Sequence, residues 1–257
     1  MMDSLSNLFD LTGRVAIVTG GASGLGKYYS QALLDAGADV FIVSRSERGW
    51  PELTQFAENR NRKVRFMSID ITESGAAEKI VKNCVTTFGQ LDILVNNAGI
   101  QIRNNVLDYK DEDWRKVIDI NLNALYFLSH EAAKSMTKQK SGKIINIGSM
   151  QSFRAGKFIF PYAASKHAVV GLTKSYADAL APYGVQVNAL APGYIDTEMT
   201  KALQNDPERN TEILNHIPAG HWAKPSELMG TVIYLASDAS NYVNGATIPV
   251  DGGYLLR

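Results

Sequence analysis

Short apolar segments rich in Val and Ile alternate along the chain with longer amphipathic segments. Nearly continuous apolarity over a few residues is typical of strands covered on both faces, as in a parallel sheet. The apolar segments are Val15–Thr19, Val40–Ser44, Val64–Ile69, Ile93–Asn96, Lys143–Ile147, Val185–Ala191 and Thr247–Val250. The segments with helical periodicity are Gly26–Ala36, Glu73–Phe88, Asp111–Lys138, Tyr162–Pro182 and Pro225–Ala236.

This alternation predicts an α/β fold built from right-handed βαβ crossovers. The expected architecture is a doubly wound parallel sheet of about seven strands with helices on both faces. No linker rich in Pro, Gly or Ser divides the 257 residues, so we interpret residues 1–257 as a single domain.

Composition excludes several classes of protein. Twenty-six Lys and Arg balance 26 Asp and Glu, so no basic field indicates nucleic acid or an anionic membrane as a partner. The N-terminal stretch MMDSLSNLFDLTGR lacks the apolar core of a signal peptide, and no apolar run is long enough to cross a bilayer, which favours a cytoplasmic protein. The single cysteine, Cys84, is expected to be a buried thiol. The four histidines, at 130, 167, 216 and 221, have no ligand spacing, so no metal site is predicted.

A glycine-rich turn follows the first predicted strand and opens a helix. It reads Thr19-Gly20-Gly21-Ala22-Ser23-Gly24-Leu25-Gly26. Glycines let the backbone turn sharply and bring its amides, with the helix N-terminus, close to a diphosphate. The spacing differs from G-x-G-x-x-G, and a loop that merely ends a strand is the alternative. The turn predicts a Rossmann-type dinucleotide site with contacts from Gly20, Ser23, Gly24, Leu25 and Gly26.

The end of the second strand bears on the choice of nicotinamide cofactor. An acidic side chain there would bind the adenosine ribose hydroxyls, but the chain has Ser44-Arg45. A guanidinium can bind a 2′-phosphate through two hydrogen bonds, which favours NADP(H) over NAD(H). The alternative for Arg45 is a solvated loop arginine, so NAD(H) stays open.

Three further motifs come in a fixed order: Asn96-Asn97-Ala98-Gly99 after the fourth strand, Ser149 after the fifth, and Tyr162-x-x-x-Lys166 opening the next helix. With TGGASGLG, they resemble the short-chain dehydrogenase/reductase family over essentially the whole chain. The later half, including IPAGHWAKPSELMG, is most similar to 2-dehydro-3-deoxy-D-gluconate 5-dehydrogenases (also known as 2-deoxy-D-gluconate 3-dehydrogenases) and, somewhat less, to gluconate 5-dehydrogenases.

The resemblance implies a catalytic set of Asn121, Ser149, Tyr162 and Lys166. Tyr162 and Lys166 are four positions apart and share one face of a helix, where an ammonium together with the positive nicotinamide of the oxidised cofactor would lower the pKa of the phenol. Tyr162 is then the general acid or base, and Ser149 hydrogen-bonds the substrate oxygen. Asn121 would hold a water leading to Lys166, make a structural hydrogen bond, or do both.

Further contacts follow from the family positions. Besides Ser44 and Arg45 at the end of the second strand, the resemblance implies cofactor contacts from Asp70, Ile71, Asn97, Gly99, Tyr162, Lys166, Ile195 and Thr197. Arg103 is a candidate partner for a substrate carboxylate and Gln151 for a substrate hydroxyl, with an exposed loop arginine as the alternative for Arg103. Residues 197–218 form a polar segment of the kind that closes over a substrate.

The sequence thus predicts an oxidoreductase that moves a hydride between NAD(P)(H) and a secondary alcohol or ketone, with a sugar acid such as gluconate or a keto-deoxy-gluconate as substrate. One alternative keeps the mechanism and changes the substrate to a 3-oxoacyl thioester or a general carbonyl compound. Another is a nucleotide-binding regulatory protein without turnover. The resemblance also implies a homotetramer.

Overall fold

The computed structural model describes residues 5–257, and every element named here lies in that range. Residues 1–4 lie outside the described residues. They belong to the predicted domain and to the N-terminal stretch in which no signal-peptide core was predicted. The strands are β1 Val15–Thr19, β2 Asp39–Ser44, β3 Val64–Ser68, β4 Ile93–Asn96, β5 Gly142–Ile147, β6 Val185–Pro192 and β7 Thr247–Val250. The helices are α1 Leu5–Leu8, α2 Gly24–Asp35, α3 Trp50–Glu58, α4 Ala76–Phe88, α5 Asp111–Ile118, α6 Ala124–Gln139, α7 Phe160–Leu180, α8 Lys201–Gln204, α9 Pro207–His216 and α10 Met229–Ala236.

The seven strands form one parallel sheet in the order β3-β2-β1-β4-β5-β6-β7. The chain winds outward from β1 to β3, returns to the other side of β1 at β4, and then winds outward to β7. The order of the strands therefore reverses between β1 and β4, and ligands of doubly wound folds bind at the carboxyl ends of the strands at such a point. The predicted fold class is confirmed.

Apolar side chains cover both faces of the sheet. One core cluster joins the sheet to α2, α3 and α10, with Tyr29 and Leu53 completely buried in it. The other joins it to α4, α6 and α7 and contains Cys84 and Met136. Burial raises the pKa of Cys84 to about 12, so the thiol stays protonated near neutral pH, as expected of a buried cysteine. The two-sided core holds the strand ends, and hence the loops after them, in fixed positions.

Two helical segments differ from the sequence prediction. The helix predicted over Asp111–Lys138 is divided by a π-helical turn at Asp119–Asn123, which separates α5 from α6. Helix α3 was not predicted, because its nine residues carry too few turns for a clear apolar stripe. Within residues 5–257, no helix has the length and apolar character needed to cross a bilayer.

Candidate active site

A cleft of about 770 Å³ opens at the carboxyl edge of the sheet, at the point where the strand order reverses. Its walls come from the loops after β1, β4, β5 and β6 and from the first turns of α2 and α7. Of the residues predicted to contact cofactor or substrate, the cleft is lined by Gly20, Ser23, Gly24, Leu25, Asn97, Gly99, Tyr162, Lys166 and Thr197. The fold therefore brings segments far apart in the sequence into one concave site.

The glycine loop is packed too tightly for side chains. Gly20 has a φ of +64°, a left-handed conformation that favours glycine, and its amide donates to the Val43 carbonyl at 2.7 Å. A Cβ on Gly26 would overlap the Gly20 carbonyl oxygen and lie 2.5 Å from Asn97 Nδ2. Gly26 therefore lies beneath the loop rather than on the cleft surface, and its missing side chain allows the loop to close onto the start of α2.

Hydrogen bonds from the loop after β4 support the glycine loop. Thr19 Oγ1 accepts from the amides of Asn97 and Ala98 at 3.0 and 2.9 Å, and Asn97 Nδ2 donates to the Thr19 carbonyl at 2.9 Å. Because these bonds join the ends of β1 and β4, they fix both walls of the cleft relative to each other. The predicted cofactor contact at Asn97 thus also has a structural role.

Basic side chains surround the end of β2. Arg45 is largely exposed and its NH1 lies 3.7 Å from Asp70 Oδ2, so part of its charge is already compensated. Hydrogen bonds from the Thr72 amide and hydroxyl hold the pKa of Asp70 below its usual range. Arg48, which sequence reasoning missed, lines the cleft opposite Ser23. A second arginine three positions after Arg45 was the available signal.

Ser149 lies two residues beyond β5 and is almost completely buried. Its Oγ accepts from the Gln151 amide at 3.2 Å, and its amide donates to Ser152 Oγ, which in turn donates to the Lys166 carbonyl at 2.8 Å. The reciprocal bonds fix the turn Met150–Ser152 against α7. The Ser149 hydroxyl is held beside the first turn of α7, within hydrogen-bonding reach of Tyr162.

Tyr162 and Lys166 occupy one face of α7, as predicted, but the electrostatics differ from the sequence argument. Burial raises the pKa of Tyr162, and the hydrogen bond with Ser149 opposes that change. Burial also lowers the pKa of Lys166 to about 8, and its Nζ donates to the Ile147 carbonyl at 2.6 Å. The ammonium lies 5.6 Å from the centre of the Tyr162 ring. The expected acidification of the phenol is therefore not produced by the protein's own groups, because desolvation outweighs it.

Asn121 lies in the π-helical turn and is completely buried. Its Oδ1 accepts from the Ile100 amide at 2.8 Å, and its Nδ2 donates to the Ile100 carbonyl at 2.9 Å and to Ser165 Oγ at 3.3 Å. The side chain thus joins the loop after β4 to α7. This is the structural hydrogen bond that the sequence left open as one of two roles, and the water-holding role stays a prediction.

The remaining predicted residues lie around the cleft rather than on its surface. Ile195 is buried and forms a bridge with Ala223, and Ile71 packs against the second core cluster. Arg103 is exposed, while Gln151 Oε1 is buried with no hydrogen-bond partner among the described residues. Cleft residues that the sequence analysis missed are Ala22, Lys27, Tyr28, Arg48, Gly49, Glu52, Ala98, Ile147, Gly148, Pro192, Glu198 and Met199.

The segment 197–218 consists of short helices joined by loops. It includes α8 and α9, and α9 begins where Asp206 Oδ1 accepts from the amides of Glu208 and Arg209, both at 3.1 Å. Asp206 followed by Pro207 is a helix-start signal that the sequence did contain. Thr197, Glu198 and Met199 reach the cleft, and Met199 is 56% exposed.

Comparison with known proteins identifies relatives of this chain. A family model described as enoyl-(acyl carrier protein) reductase matches residues 20–255. The chain is 44% identical to 2-dehydro-3-deoxy-D-gluconate 5-dehydrogenase of Bacillus subtilis strain 168, over all of both chains. The chain belongs to the short-chain dehydrogenase/reductase family. The predicted resemblance is confirmed.

Two further relatives of this short-chain dehydrogenase/reductase give the same classification. An uncharacterized oxidoreductase of Escherichia coli strain K12 is 50% identical over 98% of this chain and 96% of its own length. The crystal structure of a gluconate 5-dehydrogenase from Burkholderia cenocepacia J2315, in complex with NADP and tartrate, superposes with a TM-score of 0.94 at 37% identity, covering 99% of this chain and 100% of that one. The protein is therefore a nicotinamide-dependent oxidoreductase that acts on CH–OH groups.

Proposed function

We propose that this protein interconverts a secondary alcohol and a ketone on a six-carbon sugar acid, with NADP(H) as the cofactor. The observation that carries the proposal is that Tyr162 and Lys166 lie together at the wall of a cleft that the glycine loop also lines, with Ser149 hydrogen-bonded to Tyr162 beside them. Relatives named for 2-dehydro-3-deoxy-D-gluconate and for gluconate support the sugar-acid class. Both names place the reacting carbon at position 5, remote from the carboxylate.

The cleft fits a dinucleotide. The positions at which a Cβ would overlap neighbouring backbone, above all Gly26, leave the amides of the loop and the start of α2 free to approach a diphosphate. Gly20, Ser23, Gly24 and Leu25 would hold the diphosphate, with Gly26 beneath them allowing the loop to close, and Asn97 and Gly99 would lie beside the ribose. Asp70 and Ile71 would contact the adenine, and Ile195 and Thr197 the carboxamide. Bound in this way, the nicotinamide ring supplies or accepts the hydride.

The side chains of this protein manage the proton. In reduction, Tyr162 donates its phenolic proton to the carbonyl oxygen as that oxygen becomes an alkoxide, and in oxidation the phenolate accepts the proton back. Ser149 donates a hydrogen bond to the same oxygen while its charge changes. Lys166, held by the Ile147 carbonyl, would orient the nicotinamide ribose, and the hydrogen bond from Ser149 opposes the rise that burial causes in the pKa of Tyr162. Asn121 fixes α7 against the loop after β4.

We expect the arginines near β2 to select NADP(H). Replacing Arg45 or Arg48 by Gln should raise the KM for NADP+ roughly 10- to 100-fold, because each loses a charge-assisted hydrogen bond to the 2′-phosphate, and should leave the KM for NAD+ nearly unchanged. Initial rates with both cofactors measure this. Arg65→Gln is the matched control, since Arg65 is an exposed arginine within β3. Equal changes for NADP+ and NAD+ would refute a role in phosphate recognition.

Initial rates against a substrate panel test the proposed function. The panel contains gluconate, 2-dehydro-3-deoxy-gluconate and simple secondary alcohols with NADP+ and NAD+, and an acetoacetyl thioester with NADPH. We expect turnover of a sugar acid at a kcat/KM far above that of the simple alcohols. The thioester is included because the matching family model is named for reductases of acyl-carrier substrates. Preference for the thioester would overturn the sugar-acid assignment while preserving the mechanism.

We further infer a cytoplasmic homotetramer. Apolar side chains remain exposed on α5 and α6, with Trp114 at 45% and Phe127 at 56% accessibility, and Tyr126 packs edge-on against Tyr176 of α7. Exposed aromatic side chains of this kind suit burial between copies of the chain. The free thiol of Cys84 and the dependence on NADP(H) are consistent with a reducing compartment. Light scattering that gives a monomer would refute the assembly.

A further inference from the structure

A cluster of aromatic rings connects three segments on the substrate side of the sheet. Tyr194, which follows β6, packs edge-on against Trp222 and Tyr254, with ring centroids 5.0 and 5.2 Å apart. His216, the last residue of α9, lies 4.4 Å from the Tyr254 ring. The cluster thus ties the loop after β6 to the end of the segment 197–218 and to the C-terminal turn.

Arg154 lies over this cluster. The centre of its guanidinium is 4.7 Å from the Tyr254 ring centroid, a cation–π distance, and its NH1 is 3.2 Å from His216 Nε2. A guanidinium can only donate, so His216 Nε2 accepts when this bond forms, although the Arg257 carbonyl oxygen lies at the same 3.2 Å from that nitrogen and competes for it. Arg154 is therefore positioned by the Tyr254 ring and by the His216 imidazole.

The charge of Arg154 has no carboxylate to compensate it. Among residues 5–257, no acidic group lies within ion-pair distance of its guanidinium, although the side chain is only partly exposed. A guanidinium has five N–H donors, and the hydrogen bond to His216 uses one of them. Arg45 and Arg209, by contrast, are paired with Asp70 and Glu212. Arg154 is thus an oriented cation with donors to spare.

We propose that Arg154 binds the carboxylate of the substrate and is the main determinant of selectivity for acids. The inference rests on the proposed function. Arg154 is five residues beyond Ser149, just after the turn Met150–Ser152, and that turn is fixed against α7 near Tyr162. A sugar acid whose reacting carbon meets Ser149 and Tyr162 can extend its remote carboxylate toward Arg154, whose planar donors match a carboxylate bidentately.

Arg103 is placed differently. It is exposed in the loop after β4, whereas Arg154 is supported from below by Tyr254. Burial raises the pKa of Tyr194 to about 12. The positive charges of Arg209 and Arg103 act in the opposite direction, because they favour the phenolate. Both arginines therefore contribute positive potential at the aromatic cluster. We assign Arg103 to the rim of the site and Arg154 to the contact with the carboxylate.

The test compares an acid with its uncharged isostere. Wild-type enzyme and Arg154→Met are assayed with gluconate and with gluconamide, which differ only in the charged end. We expect the ratio of kcat/KM for the acid to that for the amide to fall roughly 10- to 100-fold in Arg154→Met, since a charge-assisted pair is lost, and to fall less in Arg154→Lys. Equal losses on both substrates would assign Arg154 to holding the segment 197–218 and overturn the proposal, as would no loss on either.

Two controls separate the remaining possibilities. His216→Gln removes the imidazole but keeps the guanidinium, so it should preserve the acid-to-amide ratio, and its loss would overturn the proposal. If wild-type enzyme turns over neither compound nor 2-dehydro-3-deoxy-gluconate, the proposed function fails on its own. Calorimetric titration of gluconate into the NADPH-bound enzyme then decides about Arg154, because the proposal requires binding that Arg154→Met weakens. Equal binding to both proteins, or none to the wild type, would overturn it.

Discussion

Tyr162→Phe should lower kcat by roughly 10²- to 10⁴-fold in both directions, because the substrate oxygen loses the general acid and base that exchanges its proton. Affinity for NADPH, measured by fluorescence titration, should change little, since the phenyl ring keeps its place at the cleft wall. Tyr176→Phe is the matched control. It removes another hydroxyl from α7, from a phenol whose pKa burial also raises to about 12, outside the cleft.

The pH dependence gives a second measure of the same group. Because burial holds the pKa of Tyr162 above its ordinary value, little phenolate exists near neutrality. Alcohol oxidation needs the phenolate, so its rate should rise as pH increases from about 7 to 9, and the residual rate of Tyr162→Phe should not. A parallel rise in the variant would assign the titration to another group, and retention of full activity would refute the role of Tyr162.

Gly26→Ala should have the second large effect. The added methyl group would overlap the Gly20 carbonyl oxygen and press on Asn97, and neither can move without breaking the bonds that join β1 to β4. We expect the dissociation constant for NADPH to rise by roughly 100-fold or more, with a loss of about 1–3 kcal/mol in the free energy of unfolding from overpacking. Fluorescence titration and urea unfolding measure the two effects.

Gly171→Ala is the control for that experiment. Gly171 lies inside α7, and a Cβ there meets no atom within 4 Å. Alanine should therefore leave NADPH binding unchanged and stabilise the protein by about 0.4–1 kcal/mol, through reduced entropy of the unfolded chain. If Gly26→Ala binds NADPH as tightly as Gly171→Ala does, the glycine loop does not form the diphosphate site.

The strands of the sheet could be predicted from the sequence, because a strand that is buried on both faces is an uninterrupted run of apolar residues. Segments such as Ile93–Asn96 are apolar without interruption, and turn residues follow them. The pair Tyr162 and Lys166 could also be recognised from the sequence, because their spacing matches about one helical turn. In the structure, both residues lie near the point between β1 and β4 where the order of the strands reverses. The order of the motifs along the chain had implied one shared site.

Other features depend on contacts between distant segments and left little local signal. Nothing near Arg154 in the sequence marks it, because its partners His216 and Tyr254 lie 62 and 100 positions away. The direction of the pKa shift of Tyr162 depends on how deeply the folded chain buries the phenol. Arg48 lines the cleft from the loop between β2 and α3, and its place there depends on how the fold positions that loop.

The π-helical turn at Asp119–Asn123 constrains how this chain can vary in length. A π-helical turn holds one residue more than an α-helical turn, so deleting one residue there would give a continuous α-helix in which α5 and α6 keep their faces. The deletion would remove the widened turn from which the Asn121 side chain bonds the Ile100 backbone. Chimeras made by exchanging segments between relatives should therefore cross over outside this turn. A relative whose alignment has a gap there is expected to have a continuous α-helix in place of α5 and α6.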